Sequence, residues 1–263
     1  MFLHVFAEEN RCRVAPADTN RCEYMTPETI KVGTNIEAME RLIPLPGRRI
    51  VDVAGGDGAL AFALAERGAS VLALQNDPES ARVNRALGSF QRVTLVEGFA
   101  QNLPQNDGTV DCVIFADCLS RIKAHDMDDC LAEACRVLKE NDGLLYVLEQ
   151  DTSGLFDGMI RMFDDQSAVR AWASGALLRM PQHIFASARE IHYSLKRQFP
   201  DFGSFVAKFM SAENISYALE DVNNADVNAL FEQGKNLKGA GYGFEHEMRV
   251  NLYRTGPAPT VSA

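Results

Sequence analysis

The sequence lacks the features that mark metal-binding, disulfide-stabilised and membrane proteins. Its six cysteines form no Cys-x-x-Cys pair, and none stands at metal-ligand spacing from a histidine. Charged residues interrupt each apolar run well before the roughly 20 residues that a membrane-spanning helix needs. The first residues, MFLHVFAEENRCR, contain neither a basic leader nor a small-residue cleavage site. These absences predict a cytoplasmic protein with free thiols, no bound metal and no membrane insertion.

Basic residues are also scarce relative to acidic ones. The 26 lysines and arginines stand against 36 aspartates and glutamates, which leaves a formal net charge of −10. This charge repels phosphate backbones, so we do not expect nucleic acid as a partner. The 263 residues, 46% of them hydrophobic, suffice for one α/β domain with an added subdomain or for two small domains.

Short β-branched runs alternate with helix-like stretches between residues 48 and 150. Such alternation is typical of βαβ units, whose parallel strands are buried on both faces. Glycine and proline punctuate the intervening helices, which we expect at 58–68, at 78–88 and before the last of these strands. The sequence therefore predicts five parallel strands, at 49–54, 69–75, 92–98, 111–117 and 143–149.

The sharpest motif is IVDVAGGDGALAFAL, in which a buried strand leads through a glycine turn into a helix. Gly55, Gly56 and Gly58 let the backbone of this turn approach a ligand closely. The first amides of the helix are then free to bind a polar or anionic group. Glycine turns also serve tight packing alone, so the motif indicates a nucleotide-like ligand only together with its context.

That context is a series of further motifs. VLALQNDPES follows as a second strand and its turn, VEGFAQNLP as a third, VDCVIFADCLSRI as a fourth, and EACRVLKENDGLLYVLE as a helix and fifth strand. With these motifs, residues 49–150 resemble the core of class I S-adenosylmethionine (SAM)-dependent methyltransferases, in the group similar to the ubiquinone and menaquinone C-methyltransferases. The resemblance implies SAM as cofactor and in-line methyl transfer to a small-molecule substrate. It leaves a homo-oligomer open.

The resemblance also implies a Rossmann-like, doubly wound α/β fold with a mostly parallel seven-stranded sheet, its last strand antiparallel. Strand-like patterns at 215–222 and 245–255 supply the two strands that remain after the fifth. We expect four parts, an N-terminal helical arm or cap at 1–45, the SAM-binding core at 46–150, a helical substrate-lid insert at 151–212 and the completion of the sheet at 213–256.

Cofactor contacts are implied by the resemblance at the ends of the first four strands of this core. The residues at these positions are Asp52, Ala54, Gly55, Gly56 and Gly58 beneath the methionine part, Gln75 and Asn76 beside the ribose, Phe99 and Ala100 beside the adenine, and Ala116 and Asp117 at the exit of the fourth strand.

Two of these positions depart from the family pattern. Gln75 replaces an Asp or Glu that accepts hydrogen bonds from both ribose hydroxyls, and an amide offers one neutral acceptor where a carboxylate offers two charged oxygens. Phe99 replaces an Asp and is limited to stacking or filling space. Two hypotheses follow. Either SAM binds with reduced affinity, or a degenerate site remains in a binding or assembly partner that does not catalyse.

His125 is the base candidate that the sequence offers, because it follows the fourth strand at the ligand-binding edge of such sheets. A solvated loop histidine is the alternative, and a base is needed only when the acceptor is protonated. Arginines and aromatic residues in the insert favour either a lid over an apolar or anionic substrate, or a packed core with a solvated face. A nicotinamide-dependent oxidoreductase is disfavoured, because Ala61 stands where its motif needs a third glycine.

Overall fold

The computed structural model describes residues 27–53, 56, 58–75, 92–212, 215–235 and 241–256. Ala54, Gly55 and Asn76 lie outside these residues, as do the helix expected at 78–88 and the first part of the expected N-terminal arm. Within the described ranges, no helix combines the length and the apolar character that crossing a membrane requires.

One sheet runs through the described residues. Its strands are β1 (Glu28–Thr29), β2 (Arg49–Val53), β3 (Ser70–Gln75), β4 (Val93–Glu97), β5 (Cys112–Ala116), β6 (Leu144–Gln150), β7 (Phe185–Phe199) and β8 (Tyr242–Thr255). They lie in the order β1-β7-β8-β6-β5-β2-β3-β4, and every neighbouring pair is parallel except those that involve β8. This order confirms a Rossmann-like, mostly parallel sheet with an antiparallel last strand. The strand count is eight rather than seven because the two residues of β1 pair with β7.

Some of the helices begin where the sequence provides a capping side chain. The hydroxyl of Thr34 accepts the backbone N–H of Glu37, and the side chain of Asn224 accepts the N–H groups of Asp226 and Val227. The helices are α1 (Asn35–Leu42), α2 (Ala59–Glu66), α3 (Met127–Val137), α4 (Gly154–Ile160), α5 (Ser167–Arg179), α6 (Phe202–Met210), α7 (Leu219–Val222) and α8 (Ala225–Phe231).

Side chains of the parallel strands alternate between two apolar cores. In β2, Ile50 belongs to the core on one face, and Val51 and Val53 belong to the core on the other. Helices α1 and α2 cover the first face, where Ala38 and Met39 are fully buried. Helices α3 and α5 cover the second face. The described part of the expected arm is thus packed against the sheet.

A third core is rich in aromatic residues and combines α4, α6, α7 and α8 with the beginning of β8. The rings of Phe205 and Phe231 are fully buried, with centroids 5.4 Å apart, and Phe156 lies 5.7 Å from Phe244. Because α4 follows β6 after a short connection, this core lies beyond the carboxyl edge of the parallel strands.

The second half of the chain corrects the sequence prediction. The segment expected as a helical insert contains the 15 residues of β7. The strand expected at 215–222 is absent from the described residues there, of which Leu219–Val222 form α7. In β7, Ile191, Tyr193 and Leu195 are buried in alternation with polar neighbours, a period of two that the charged residues obscure in the sequence.

Candidate functional site

The turn after β2 holds the first part of the site. Gly56 and Gly58 adopt φ angles of 50° and 80°, which glycine tolerates without steric cost. Helix α2 begins directly after Gly58, whose carbonyl oxygen accepts the backbone N–H of Phe62 at 3.0 Å. A Cβ atom at Gly56 would meet no described atom within 4 Å. The turn therefore keeps open space at the position where a ligand would approach the backbone.

Gln75, the last residue of β3, braces this turn. It is 2% exposed, and its Nε2 donates to the carbonyl oxygen of Gly56 at 2.5 Å. A carboxylate has no proton to donate, so the glutamine makes a contact that Asp or Glu does not make. Its Oε1 is buried and finds no hydrogen-bond partner in the described part of the chain. An unsatisfied buried acceptor fits a ligand that brings a hydroxyl donor.

Asp52 lies inside β2, just before the turn. It is 1% exposed, and no group of the described residues donates a hydrogen bond to its Oδ2. Burial raises the pKa of Asp52 to about 7, because the low-dielectric interior penalises the charged form. The carboxyl group is therefore partly protonated near neutral pH.

The ends of the neighbouring strands carry the remaining predicted contacts. Asp117, with a φ of 53°, follows β5, and its Oδ2 accepts hydrogen bonds from Arg121 Nη2 and Gln150 Nε2, both at 3.1 Å. Ala116 is half-buried against the first core. After β4, Phe99 is 67% exposed. Its ring is accessible for stacking on a planar group.

Ala100, the second residue expected beside an adenine, faces inward. It packs against the core on the second face of the sheet and is half-buried. The neighbouring Gly98 has little room, because a Cβ atom there would lie 2.9 Å from Leu74 Cδ1. The segment after β4 is therefore held against the sheet while Phe99 projects from it.

A cavity of about 720 Å³ opens beside Asp117. The carboxyl ends of β5 and β6 form one side, and α4, α5, α6, β7 and β8 contribute the others. The segment expected as a lid supplies most of the wall. The chemically distinctive lining residues are the aromatic Phe156, Phe199, Phe209 and Tyr217 and the cationic Arg121, Arg170, Arg197 and Lys208.

His246 on β8 lies in the wall of this cavity. Its Nδ1 accepts a hydrogen bond from Arg197 Nε at 3.2 Å, and its ring centroid lies 5.0 Å from that of Phe156. Burial lowers the pKa of His246 to about 4, and the charges of Arg197 and Arg170 add to this effect. The imidazole is therefore neutral, with its proton on Nε2. His246 was not predicted from the sequence, where its only signal is its place in the alternating pattern of the last strand.

His125 is not part of this arrangement. Its side chain is 76% exposed, its Nε2 lies 3.6 Å from Asp126 Oδ1, and it does not line the cavity. The residue stands in the loop before α3, as expected, but that loop does not bring the imidazole to the cavity. Of the two alternatives that the sequence left open, the geometry matches the solvated loop histidine.

His192 on β7 has a side chain that could bind a metal, but acidic side chains already contact it. The ring of His192 contacts Asp151 Oδ2 at 3.2 Å and Glu190 Oε1 at 2.8 Å, so it belongs to a local network of polar side chains. No cluster of three or more His, Cys, Asp or Glu side chains suited to a metal occurs in the described ranges.

Comparisons with known proteins concern mainly the first half of the chain. Residues 50–141 match the family described as a methyltransferase domain. An uncharacterized methyltransferase of Mycobacterium tuberculosis (strain ATCC 25618 / H37Rv) is 33% identical over 103 residues, which make up 39% of this chain and 40% of that protein. The match thus spans about two-fifths of the mycobacterial relative.

A longer match extends into the second half. The ubiquinone/menaquinone biosynthesis C-methyltransferase of Ruegeria sp. (strain TM1040) is 30% identical over 182 residues, 66% of this chain and 69% of that protein. The solved structure of the YcgJ protein from Bacillus superposes with a TM-score of 0.56 over 84% of this chain and 98% of that chain at 16% identity, a likeness of fold. Shared sequence across more than two-thirds of the Ruegeria protein places this chain in the family of class I SAM-dependent methyltransferases.

Proposed function

We propose that the protein transfers a methyl group from SAM to a small molecule bound in the cavity beside Asp117. The observation that carries this proposal is the adjacency of β2 and β5, which pair in parallel with Val53 opposite Phe115. The glycine turn follows β2, and Asp117 at the cavity follows β5. Neighbouring parallel strands lie about 4.8 Å apart, so the turn and the cavity open at the same edge of the sheet.

The residues of the turn fit SAM in three respects. Gly56 leaves space for a close approach to the backbone, and the buried Oε1 of Gln75 is an acceptor without a partner among the described residues. The exposed ring of Phe99 supplies a stacking surface for an adenine. When bound, SAM supplies a methyl group activated by a positively charged sulfur.

The structural role of Gln75 bears on the hypothesis of a degenerate site. The glutamine holds Gly56 through its Nε2 and keeps Oε1 available. A single neutral acceptor predicts weaker ribose binding than a carboxylate gives, by about 1 kcal/mol or more. The replacement by itself therefore does not argue for loss of the cofactor, and we propose an active enzyme.

The protein's own contribution to the reaction is alignment. In-line transfer from an activated donor needs an acceptor held at the correct distance and angle, with water excluded. The aromatic wall of the cavity excludes water from a bound acceptor. Neutral His246 offers an N–H donor at Nε2 and Asp117 an acceptor, and both line the cavity. These two groups orient the polar substituents of the acceptor.

Gly56→Ala tests the cofactor site, and Gly47→Ala is its matched control. Both glycines have positive φ, 50° and 77°, and both face open space. Each substitution is expected to lower the free energy of unfolding by about 1 kcal/mol through backbone strain. Only Gly56→Ala places a methyl group where the cofactor would lie, so we expect at least a tenfold loss of SAM affinity in calorimetric titration for this variant alone.

Two results would contradict the proposal. One is wild-type protein that binds neither SAM nor S-adenosylhomocysteine at millimolar concentration. The other is equal SAM affinity of the Gly56→Ala and Gly47→Ala variants, which would place the cofactor away from the turn.

A further inference from the structure

We infer that the acceptor is a largely apolar molecule with one anionic group, and that the terminal nitrogens of Arg197 bind this group. The inference deepens the proposed function, because it names the class of molecule that occupies the cavity beside Asp117. It depends on which charges in that cavity are already neutralised.

Two of the cavity's four cationic side chains are paired within the protein. Arg121 Nη2 donates to Asp117 at 3.1 Å. Arg170 donates from Nη1 to Asp157 at 2.8 Å and from Nη2 to Gln150 at 3.0 Å. The charges of these two arginines are thus offset by carboxylates of the protein.

The other two cationic side chains have no carboxylate partner in the described part of the chain. Among the described residues, Arg197 donates a side-chain hydrogen bond from Nε alone, to the neutral ring of His246, so its two terminal nitrogens remain for a ligand. Lys208, from α6, lines the same cavity. A guanidinium group presents a planar pair of donors that matches a carboxylate or phosphate.

The remaining acid in the wall, Asp164, lies on the side of Tyr217. Its carboxylate accepts a hydrogen bond from Gln166, and its charge helps to raise the pKa of Tyr217. The cavity thus holds two cations without a described carboxylate partner against one acid, in a protein whose net charge is −10. An excess of positive charge against the sign of the whole chain favours an anionic ligand over a neutral one.

The aromatic side chains define the rest of the ligand. Phe156, Phe199 and Phe209 come from three different elements and line the cavity with Tyr217. Such walls favour a planar apolar body. The volume of about 720 Å³ accommodates a bicyclic molecule with one charged substituent.

The test compares three probes of similar shape, 2-naphthoate, 2-naphthyl phosphate and the neutral 2-naphthamide, by calorimetric titration of the full chain. We expect at least one anion to bind about tenfold more tightly than the amide, and the better anion identifies carboxylate or phosphate as the preferred group. In Arg197→Gln this preference should disappear. Lys196→Gln is the matched control, because it removes the same charge from the adjacent residue of β7, which does not line the cavity.

Equal or absent binding of all three probes to the wild type would overturn the inference, and so would an anion preference that persists in Arg197→Gln. A separate SAM titration distinguishes this failure from failure of the proposed function. SAM binding without an anion preference overturns the acceptor class alone, whereas an Arg197-dependent preference without SAM binding supports the anion site and contradicts methyl transfer.

Discussion

The glycine turn and the cavity beside Asp117 open at the same edge of the sheet but are built in different ways. The turn is local, since one strand, one turn and one helix form it, and Gln75 at the end of the next strand donates a hydrogen bond to it. The cavity combines side chains from seven elements spread between β5 and β8. The turn lies within the matched methyltransferase domain at 50–141, and most of the cavity lies after it.

This difference separates the part of the site that the matched methyltransferase domain covers from the part that lies beyond it. The match to the methyltransferase domain includes the turn, because the turn lies within the matched segment. The match does not include Arg197, Lys208 or His246, which lie beyond residue 141. The chemical class of the acceptor is therefore inferred from the residues of the cavity.

The largest expected contrast concerns the pH dependence of stability. Asp52, beside the turn, has a pKa of about 7 in the folded protein and about 3.9 when unfolded. Folding favours its protonated form, so this contribution is complete below about pH 4 and is lost as pH rises through 7. Relative to Asp52→Asn, the wild type should lose up to about 4 kcal/mol of unfolding free energy between pH 4 and 8.

Urea unfolding at a series of pH values measures this loss. The exposed Asp129→Asn variant is the control and should show no comparable pH-dependent difference from the wild type. Parallel pH profiles of wild type and Asp52→Asn would show that the buried carboxyl group has partners that offset its desolvation.

The buried ion pair on the cavity side is expected to have the next largest effect. Arg170→Gln leaves the buried Asp157 with Arg161 as its one cationic partner among the described residues and should lower the free energy of unfolding by about 3 kcal/mol. Arg179→Gln breaks an exposed pair with Asp128 and should cost less than about 1 kcal/mol. Equal losses in urea unfolding would show that burial does not distinguish these two pairs.

The contribution of His246 to stability should change with pH in the opposite direction to that of Asp52. Its pKa is about 4 in the folded protein and about 6.5 when unfolded, so folding favours the neutral ring. This contribution is complete above about pH 6.5 and is lost as pH falls through 4. Relative to His246→Gln, the wild type should lose about 3 kcal/mol over that window. The exposed His125→Gln variant should follow the wild type.

The smallest expected effect concerns the hydrogen bond from Gln75 to the Gly56 carbonyl. Gln75→Glu at neutral pH removes the donor to the Gly56 carbonyl and buries a charge, so the free energy of unfolding should fall by about 2 kcal/mol. A carboxylate at this position would accept hydrogen bonds from both ribose hydroxyls, but we expect the loss of the hydrogen bond to Gly56 to dominate and SAM affinity to fall. The exposed Gln198→Glu variant controls for the added charge. Tighter SAM binding in Gln75→Glu would show that the carboxylate gains more from the ribose than the turn loses with the Gln75–Gly56 hydrogen bond.

Prediction from sequence succeeded where structure is local. The runs at 49–54, 69–75 and 143–149 became β2, β3 and β6 within one residue at each end, because β-branched runs bounded by glycine or charge have no competing helical pattern. The same reading failed for β7, where polar residues alternate with Ile191, Tyr193 and Leu195. That alternation identifies a strand only when a partner such as β8 is available to pair with it.

The sequence by itself determined the order of the strands from β2 to β6, the glycine turn and the family, because each depends on residues close together in the chain. Only the tertiary structure decided that His125 stands outside the cavity, that Gln75 holds Gly56, and that Arg197 and His246 meet in the cavity wall. Arg197 and His246 are 49 residues apart and become neighbours only through the pairing of β7 with β8. Long-range strand pairing leaves no mark in a local pattern, so the acceptor site could not be predicted from sequence.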